Sequence, residues 1–218
     1  MTLKNFRKFC LYFGDWRLVG KTARRLAKIG LPPHYGLWPL ANVSPKGYIA
    51  PSTEVSHANF EFGEHCFVGE QSLIYGEADT GPVRFGERVH IHQNNVLQTG
   101  QNGGIDIGSG THIQPHCLLS GFKGNIRIGE NVEIAAYCAF YSYNHEFDLN
   151  LPVREQPIST AGGIDIGSES WIGHGVVILD GAEIGHGAVI AAGSVVNAAI
   201  PEYCIAAGNP ARVIGRRS

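Results

Sequence analysis

From Ile166 to Val196 an aliphatic residue returns at every sixth position without a miss: Ile166, Ile172, Ile178, Ile184, Ile190 and Val196. The residue after each is mostly small or polar (Gly167, Gly173, Gly185, Ala191, Asn197). Four positions after each leader stands another short or aliphatic residue: Ser170, Val176, Ala182, Ala188, Ser194 and Ile200. A period of six matches neither the 3.6-residue helix nor the two-residue strand. It is the repeat of a parallel β-helix: each hexad is a short strand plus a corner, and three hexads close a triangular coil. The leading aliphatic side chain points into the narrow prism. The second inward position sits by the corner, where volume is scarce, so its side chains are short and glycine serves the sharp turns.

The same pattern reaches back to Ile49 and Val55. An eleven-residue unit recurs at 81–91, 103–113, 124–134 and 162–172, with a looser copy at 58–68. Each gives two consecutive leaders: Phe62/Val68, Phe85/Ile91, Ile107/Ile113, Ile128/Ile134 and Ile166/Ile172. Leaders of the third face follow at Ile74, Leu97, Leu119 and Phe140. The units lie 23, 22 and 21 residues apart instead of 18, so one corner of each coil carries extra residues, and these bulges are expected to stack along one edge. From a third-face leader to the next unit takes 11, 10 and 9 residues, but from Phe140 to Ile166 it takes 26. The excess must leave the prism as a loop over 141–163, and a long loop on a rigid scaffold is where function concentrates.

Twenty-nine glycines is about twice average usage, and with no collagen-like triplet the excess fits repeated corners. Residues 1–30 hold eight lysines and arginines against Asp15 alone, a net of +7 that leaves −9 on the rest of a chain of net charge −2. A basic front on an acidic body argues against a nucleic-acid groove along the repeats. The front reads either as a solvated helix face or as a contact with an anionic membrane surface. Five cysteines (Cys10, Cys66, Cys117, Cys138, Cys204) have no metal-ligand spacing. Three of them fall on second inward positions, as small core residues of a reducing compartment. With no signal-peptide core and no run long enough to span a bilayer, the expected location is cytoplasmic, at most peripheral to the inner membrane.

Residues 1–48 are expected to form a helical cap over the open end of the prism, 49–200 the β-helix, and 201–218 a tail. Within the cap, Asp15 is the expected N-cap of a helix over 16–29, with Trp16, Val19, Ala23 and Leu26 on one face and Gly30, Pro32 and Pro33 as the stop. A shorter helix before it sets Phe6, Phe9 and Phe13 on one side. The cap hides core and strand edge that a terminal repeat leaves bare.

Three stretches carry a resemblance: NHEF in the loop, then IDIGSESWIGHGVVILDGAEIGHGAVIAAGSVV, then AAGNPARVIG. Together they resemble the hexapeptide-repeat acyltransferases, most of all the acetyl-CoA-dependent sugar O-acetyltransferases of galactoside, maltose, nodulation-factor and surface-polysaccharide type. The match covers 49–215 in pattern and 126–215 nearly position by position. The resemblance implies an all-β fold, a left-handed parallel β-helix, assembled as a homotrimer with active sites between neighbouring prisms. It implies that His145 is the catalytic general base; Glu146 and Asp148, one and three residues on, are the acids near enough in sequence for either, or neither, to orient it. A direct transfer of acetyl from acetyl-CoA to a sugar hydroxyl then needs no Ser or Cys nucleophile and no metal. It further implies that the backbone amide of His174 faces the thioester oxygen, that Trp171 lines the coenzyme channel, that Ala192 meets the pantetheine arm, and that Arg212, with Arg216 in reserve, meets phosphate. The family often has Lys after GSVV, where this chain has Asn197-Ala198. An acceptor-binding Asn of the galactoside enzymes is replaced by Gln114-Pro115-His116, which makes His116 and Glu146 the candidate acceptor contacts.

Other readings stay open on the residues. An amino sugar linked to a nucleotide, or an antibiotic hydroxyl, suits the same chemistry. His90, His92, His112 and His116 fall on adjacent coils, as a γ-type carbonic anhydrase would place zinc ligands, although that family's signature spacing is absent. A non-catalytic scaffold is the third alternative.

Overall fold

The computed structural model describes residues 3–13, 18–32, 34–77 and 79–218. Asp15, Trp16 and Pro33 lie outside the described residues, as does the side chain of Val19. The chain winds into a parallel β-solenoid of about seven coils, as the sixfold spacing predicts. Three sheets form its walls. The first face starts at Tyr48–Ile49, the second at Glu54–Ser56 and the third at Phe60–Glu61, and each later coil adds one strand to each wall. Leaders of successive coils are hydrogen-bonded neighbours. On the second face, built by the leaders that come third after each eleven-residue unit, the column runs Val55, Ile74, Leu97, Leu119, Phe140, Ile178, Val196. On the first it runs Ile49, Val68, Ile91, Ile113, Ile134, Ile172, Ile190, Ala206.

The interior is closed by the expected short side chains. Cys66, Ser72, Val89, Thr111, Cys117, Val132, Cys138, Ser170, Val176, Ala182, Ala188 and Ser194 are all buried, and all five cysteines are free. Ile200 departs from the pattern: it bridges Ile184 as a leader because the last coil is shortened. The corner between a leader and the second inward position needs a left-handed residue. Non-glycines fill it in most of the early coils (His65 φ 56°, Asn94 φ 59°, His116 φ 65°), with Gly110 (φ 71°) an exception, whereas Gly175, Gly181, Gly187 and Gly193 fill it in the last two.

The extra residues of each coil do gather on one edge, between the second and third faces. There Gly81 donates to the Gly103 carbonyl (3.1 Å) and Lys123 to that of Gly100 (2.9 Å), and the Gly104 amide donates to Asn125 Oδ1 (2.9 Å). The long excursion leaves from this same edge after the strand Ala139–Tyr141. It returns at Ile164–Ile166, whose partners across the gap are Ile126 and Ile128. The tail continues the first face: Cys204–Gly208 pairs parallel to Val189–Ile190, and Ala211–Arg216 folds back antiparallel on it. Pro201 and Pro210 therefore do not end the regular structure. The cis Asn209–Pro210 bond turns the hairpin.

Helix α1 (Leu3–Tyr12), helix α2 (Leu18–Ala27) and a 3₁₀ run at His34–Val43 make a second apolar cluster with Tyr48, Ala50 and Phe67. Tyr48 and Phe67 point outward from the first face, so the segment packs on that face's outer side, and α2 also reaches the edge of the first coil through Arg24. The buried stripe of α2 is Gly20, Arg24 and Ala27, while Leu26 is exposed. Arg24 is buried for a physical reason: its guanidinium donates to the Ile49 carbonyl on the open edge of the first coil, and to the Gly20 carbonyl (3.3 Å). Buried cation and strand edge satisfy one another. Gly30, at φ 74°, then stops the helix.

Candidate active site

The excursion is organised by polar contacts. Asn144–His145 pairs antiparallel with Ile158–Ser159, giving a short ribbon whose tip holds a 3₁₀ turn at Val153–Glu155. His145 is exposed, with the Tyr143 ring 6.3 Å from its own. Tyr143 also contacts Phe122 (5.5 Å), which leans the ribbon along the bulged edge. The base of the excursion is clamped by Asp180, a residue overlooked in the sequence and only 8% exposed. Its carboxylate accepts from Asn144 Nδ2 (3.3 Å), Thr160 Oγ1 (2.9 Å), and the amides of Ala161 (2.5 Å) and Gly163 (2.9 Å). A buried carboxylate with that many donors is satisfied without a cation. Gln156 does the same for the tip: its amide nitrogen donates to the carbonyls of Asp148 and Leu151 (both 2.8 Å), and its oxygen accepts from the Asp148 amide (2.7 Å).

Neither expected orienting acid holds His145. Asp148 Oδ1 accepts from the amide (2.8 Å) and side chain (2.6 Å) of Asn150 in its own turn. Glu146 is exposed and adjoins His145 along extended backbone, where successive side chains point to opposite sides. Its amide donates to the Pro157 carbonyl (3.0 Å).

The edge between the first and second faces gathers most of the other candidates. His116 stacks on Tyr137 (4.7 Å, 11°), and Tyr137 meets His174 (5.4 Å) one coil further on. Tyr137, more than half exposed, is a second residue the sequence did not single out. Ala192 occupies the position of His174 in the next coil, where the Gly193 amide donates to the His174 carbonyl (2.8 Å). Among the described residues the amide of His174 donates to nothing within the chain, and the same holds at Glu70, Gln93, Ala136 and Ala192. A free amide is thus a property of this corner in every coil except the two that carry Pro51 and Pro115 there. The His174 and Ala192 corners differ in being bare: the following residues, Gly175 and Gly193, have open space where a Cβ would stand. Trp171, 56% exposed, points out from the first face beside Val189. Arg212 and Arg216 are exposed on the last strand of that face, and Arg212 Nη1 donates to the Ala211 carbonyl (2.7 Å).

Within one chain these parts do not converge. His145 leaves the far edge of the second face, whereas His116, His174 and Ala192 stand on its near edge. Six residues at about 3.3 Å each separate such edges by on the order of 20 Å. A shallow hollow of about 670 Å³ on the third face, lined by Arg127, Asp165, Glu183 and His186 among others, includes none of the candidates. Its floor follows from glycines 129, 167 and 185, where a Cβ would strike the next coil within 2.8 Å. Coil stacking explains the hollow.

The histidines of the early coils are roofed. The Trp38 ring lies 4.9, 5.3 and 5.4 Å from His90, His92 and His112, and His90 stacks on His112 at 4.6 Å. Burial, then neighbouring imidazoles, pushes His90 and His92 down to about 4. Among the described residues no group of three or more His, Cys, Asp or Glu side chains is placed to hold a metal ion.

A parallel solenoid with an excursion between its second and third walls defines a hexapeptide-repeat protein. The family description "Bacterial transferase hexapeptide (six repeats)" matches residues 163–198. The repeat that defines this transferase family is thus present in the chain. It is 32% identical over 161 residues to the "probable acetyltransferase Rv3034c" of Mycobacterium tuberculosis, a match covering 73% of this chain and 45% of that protein. The chain spans less than half the length of the curated relatives it matches. Among solved structures, the polySia specific acetyltransferase NeuO superposes with a TM-score of 0.51 at 26% identity, over 76% of this chain and 87% of that one. AntD, an N-acyltransferase from Bacillus cereus solved with dTDP and 3-hydroxybutyryl-CoA, shares the fold with a TM-score of 0.57 at 23% identity, over 69% and 82% of the two chains.

Proposed function

We propose that the protein is an acetyl-CoA-dependent O-acetyltransferase acting on a sugar hydroxyl of a surface glycan, with its active sites between the chains of a homotrimer. The observation that carries this reading is the split of the site across the second face. An exposed histidine stands on one edge, and a bare corner with a free amide stands on the other. Rotational symmetry brings the first edge of one copy to the second edge of the next. The outward side of the second face supplies material for that contact: Leu73, Val96, Leu118, Ala139, Val177 and Val195 form a half-buried aliphatic stripe.

In the cleft so formed, the His145 imidazole accepts the proton of the acceptor hydroxyl as its oxygen attacks the thioester carbonyl. The oxyanion that develops on the carbonyl is met by the His174 amide, which is fixed by the coil and has no ligand to give up. Collapse breaks the carbon–sulfur bond, the thiolate takes the proton from the imidazolium, and an ester and coenzyme A leave. The pantetheine arm lies along the edge cleared at Gly175 and Gly193, past Ala192 and beside Trp171. Arg212, with Arg216 behind it, reaches the phosphates, while His116 and Glu146 contact the acceptor. NeuO, named for polysialic acid, is the comparison that favours a glycan acceptor.

His145→Ala should lower turnover by about 10²–10⁴-fold in a thiol-release assay with acetyl-CoA and a panel of glycans, with the assembly unchanged in size. A variant of near-native activity sinks the mechanism. Lability of the product to hydroxylamine reads out ester against amide, and so O- against N-transfer.

A further inference from the structure

We propose that the outer side of helix α1 docks the protein on an anionic lipid surface. The helix buries Cys10 and Leu11 with Phe6 packed beside them, and the aromatic residues at its C-terminal end face the other way: Phe9, Tyr12 and Phe13 are 59%, 64% and 55% exposed. They form one patch, with ring centroids 5.2 Å apart for Phe9–Phe13 and for Tyr12–Phe13, and Lys46 Nζ 4.9 Å above the Tyr12 ring. The sequence expectation of three phenylalanines on one side holds for their spacing, but Phe9 and Phe13 face solvent. A helix that only covers a core puts charged residues outward. Here the outward side is aromatic, and it holds its place because Arg7 fastens α1 to the Ala27 (3.1 Å) and Ile29 (3.2 Å) carbonyls at the end of α2.

Charge identifies the partner. Through residue 53 the chain carries nine lysines and arginines and a single acid, Asp15. Among the described residues, the side chains of Lys4, Lys8, Lys21 and Arg25 make no hydrogen bond or ion pair, whereas Arg7 and Arg24 are bonded to backbone carbonyls, Lys46 to the Tyr12 carbonyl (2.7 Å) and Lys28 to Glu70 (2.8 Å). Exposed aromatic rings among uncommitted cations on a surface helix are what an interfacial helix presents to headgroups. Each cation held near an anionic membrane contributes roughly fivefold in partition. A helix exterior is convex, and a fluid headgroup layer accepts a convex surface, whereas a protein partner must offer a matched concavity.

This inference stands independently of the catalytic reading. The test is co-sedimentation of the full chain with vesicles of phosphatidylcholine alone, or of phosphatidylcholine mixed with phosphatidylglycerol. Partition onto the anionic vesicles only, weakening as salt rises toward about 0.5 M, is expected. The triple variant Phe9→Ser/Tyr12→Ser/Phe13→Ser and the double variant Lys4→Glu/Lys8→Glu should each lose at least about tenfold with the melting temperature unchanged, because the altered side chains are exposed. Equal partition onto both vesicles, or variants that partition like the parent, overturns the proposal. Absence of partition onto either also overturns it.

Discussion

The walls of the solenoid and the excursion that leaves them are held by opposite means. In the wall, each interior leader is stacked between equivalents one coil below and one above, as Phe140 is between Leu119 and Ile178, and the columns are buried apart from the first coil's end, where Val55 and Phe62 are partly exposed. Stability there is shared among many similar apolar contacts, each replaceable in kind. The excursion has no such core: Phe147, Leu149, Leu151 and Val153 are exposed. Its position rests on a few polar groups, above all Asp180 at its base and Gln156 near its tip. The wall is a structure that mutation weakens by degrees, and the excursion is one that a single side chain can release.

The comparison breaks first, if it breaks, at Phe140, which belongs to the wall but stands at the root of the excursion. Phe140→Ala leaves a void inside the prism and should cost about 3–5 kcal/mol by equilibrium denaturation, with one transition for the whole solenoid. A cost under about 1 kcal/mol would show that the coil is not packed as a continuous column. Asp180→Ala should act differently. It leaves the amides of Ala161 and Gly163 without their acceptor, a penalty of about 1–3 kcal/mol for each such group, and the cost is confined to the excursion. Hydrogen exchange across 142–163 should quicken while the global unfolding midpoint falls less than for Phe140→Ala. Turnover should drop with little change in the Michaelis constant for acetyl-CoA, since Asp180 touches the loop and not the donor edge. Asp180→Asn, which keeps an acceptor oxygen, should restore part of both effects. Exchange limited to the original rate would mean that the ribbon holds itself.

The difference between the two regions also explains what could be read from the residues. A structure built from repeated apolar contacts writes its period into the sequence, so the columns from Val55 to Val196 and from Ile49 to Ile190 are visible as spacing alone. The excursion is visible too, but only as a length: Phe140 to Ile166 is too long for a corner. What holds it is invisible, because one Asp after a leucine looks like any corner residue until the chain brings Thr160, Ala161 and Gly163 beside it. The same limit hid the role of Arg24. A helical wheel expects apolar Leu26 on the buried side, but the deciding fact is an open carbonyl at Ile49, which exists only once the first coil has formed. The histidines on adjacent coils look like ligands for want of Trp38, which comes from the flanking segment and covers them.

That roof gives the smallest of the expected effects and the finest test of how separable the regions are. His90 and His92 are held neutral, at about 4, by burial and by each other's company with His112. His112 faces Glu133 (Nδ1 to Oε1 3.3 Å), and Glu70 on the neighbouring edge is already bonded to Lys28, so among the described residues no free acid stands ready to receive a new cation under the indole. In the unfolded chain the same imidazoles titrate near 6.5. Their depressed folded values mean that the unfolded state binds more protons between those limits. The stability they govern is therefore complete above about pH 6.5 and is lost as pH falls toward 4. The wall interior is aliphatic, aromatic, thiol and hydroxyl, and has little to titrate in that window. Acid should accordingly loosen the Trp38 segment before the coils. Trp38 fluorescence, obtained by difference against Trp38→Phe, should change at a higher pH than the far-ultraviolet β signal. Coincident transitions would show that the flank and the wall unfold as one unit, and would erase the distinction at this end of the molecule.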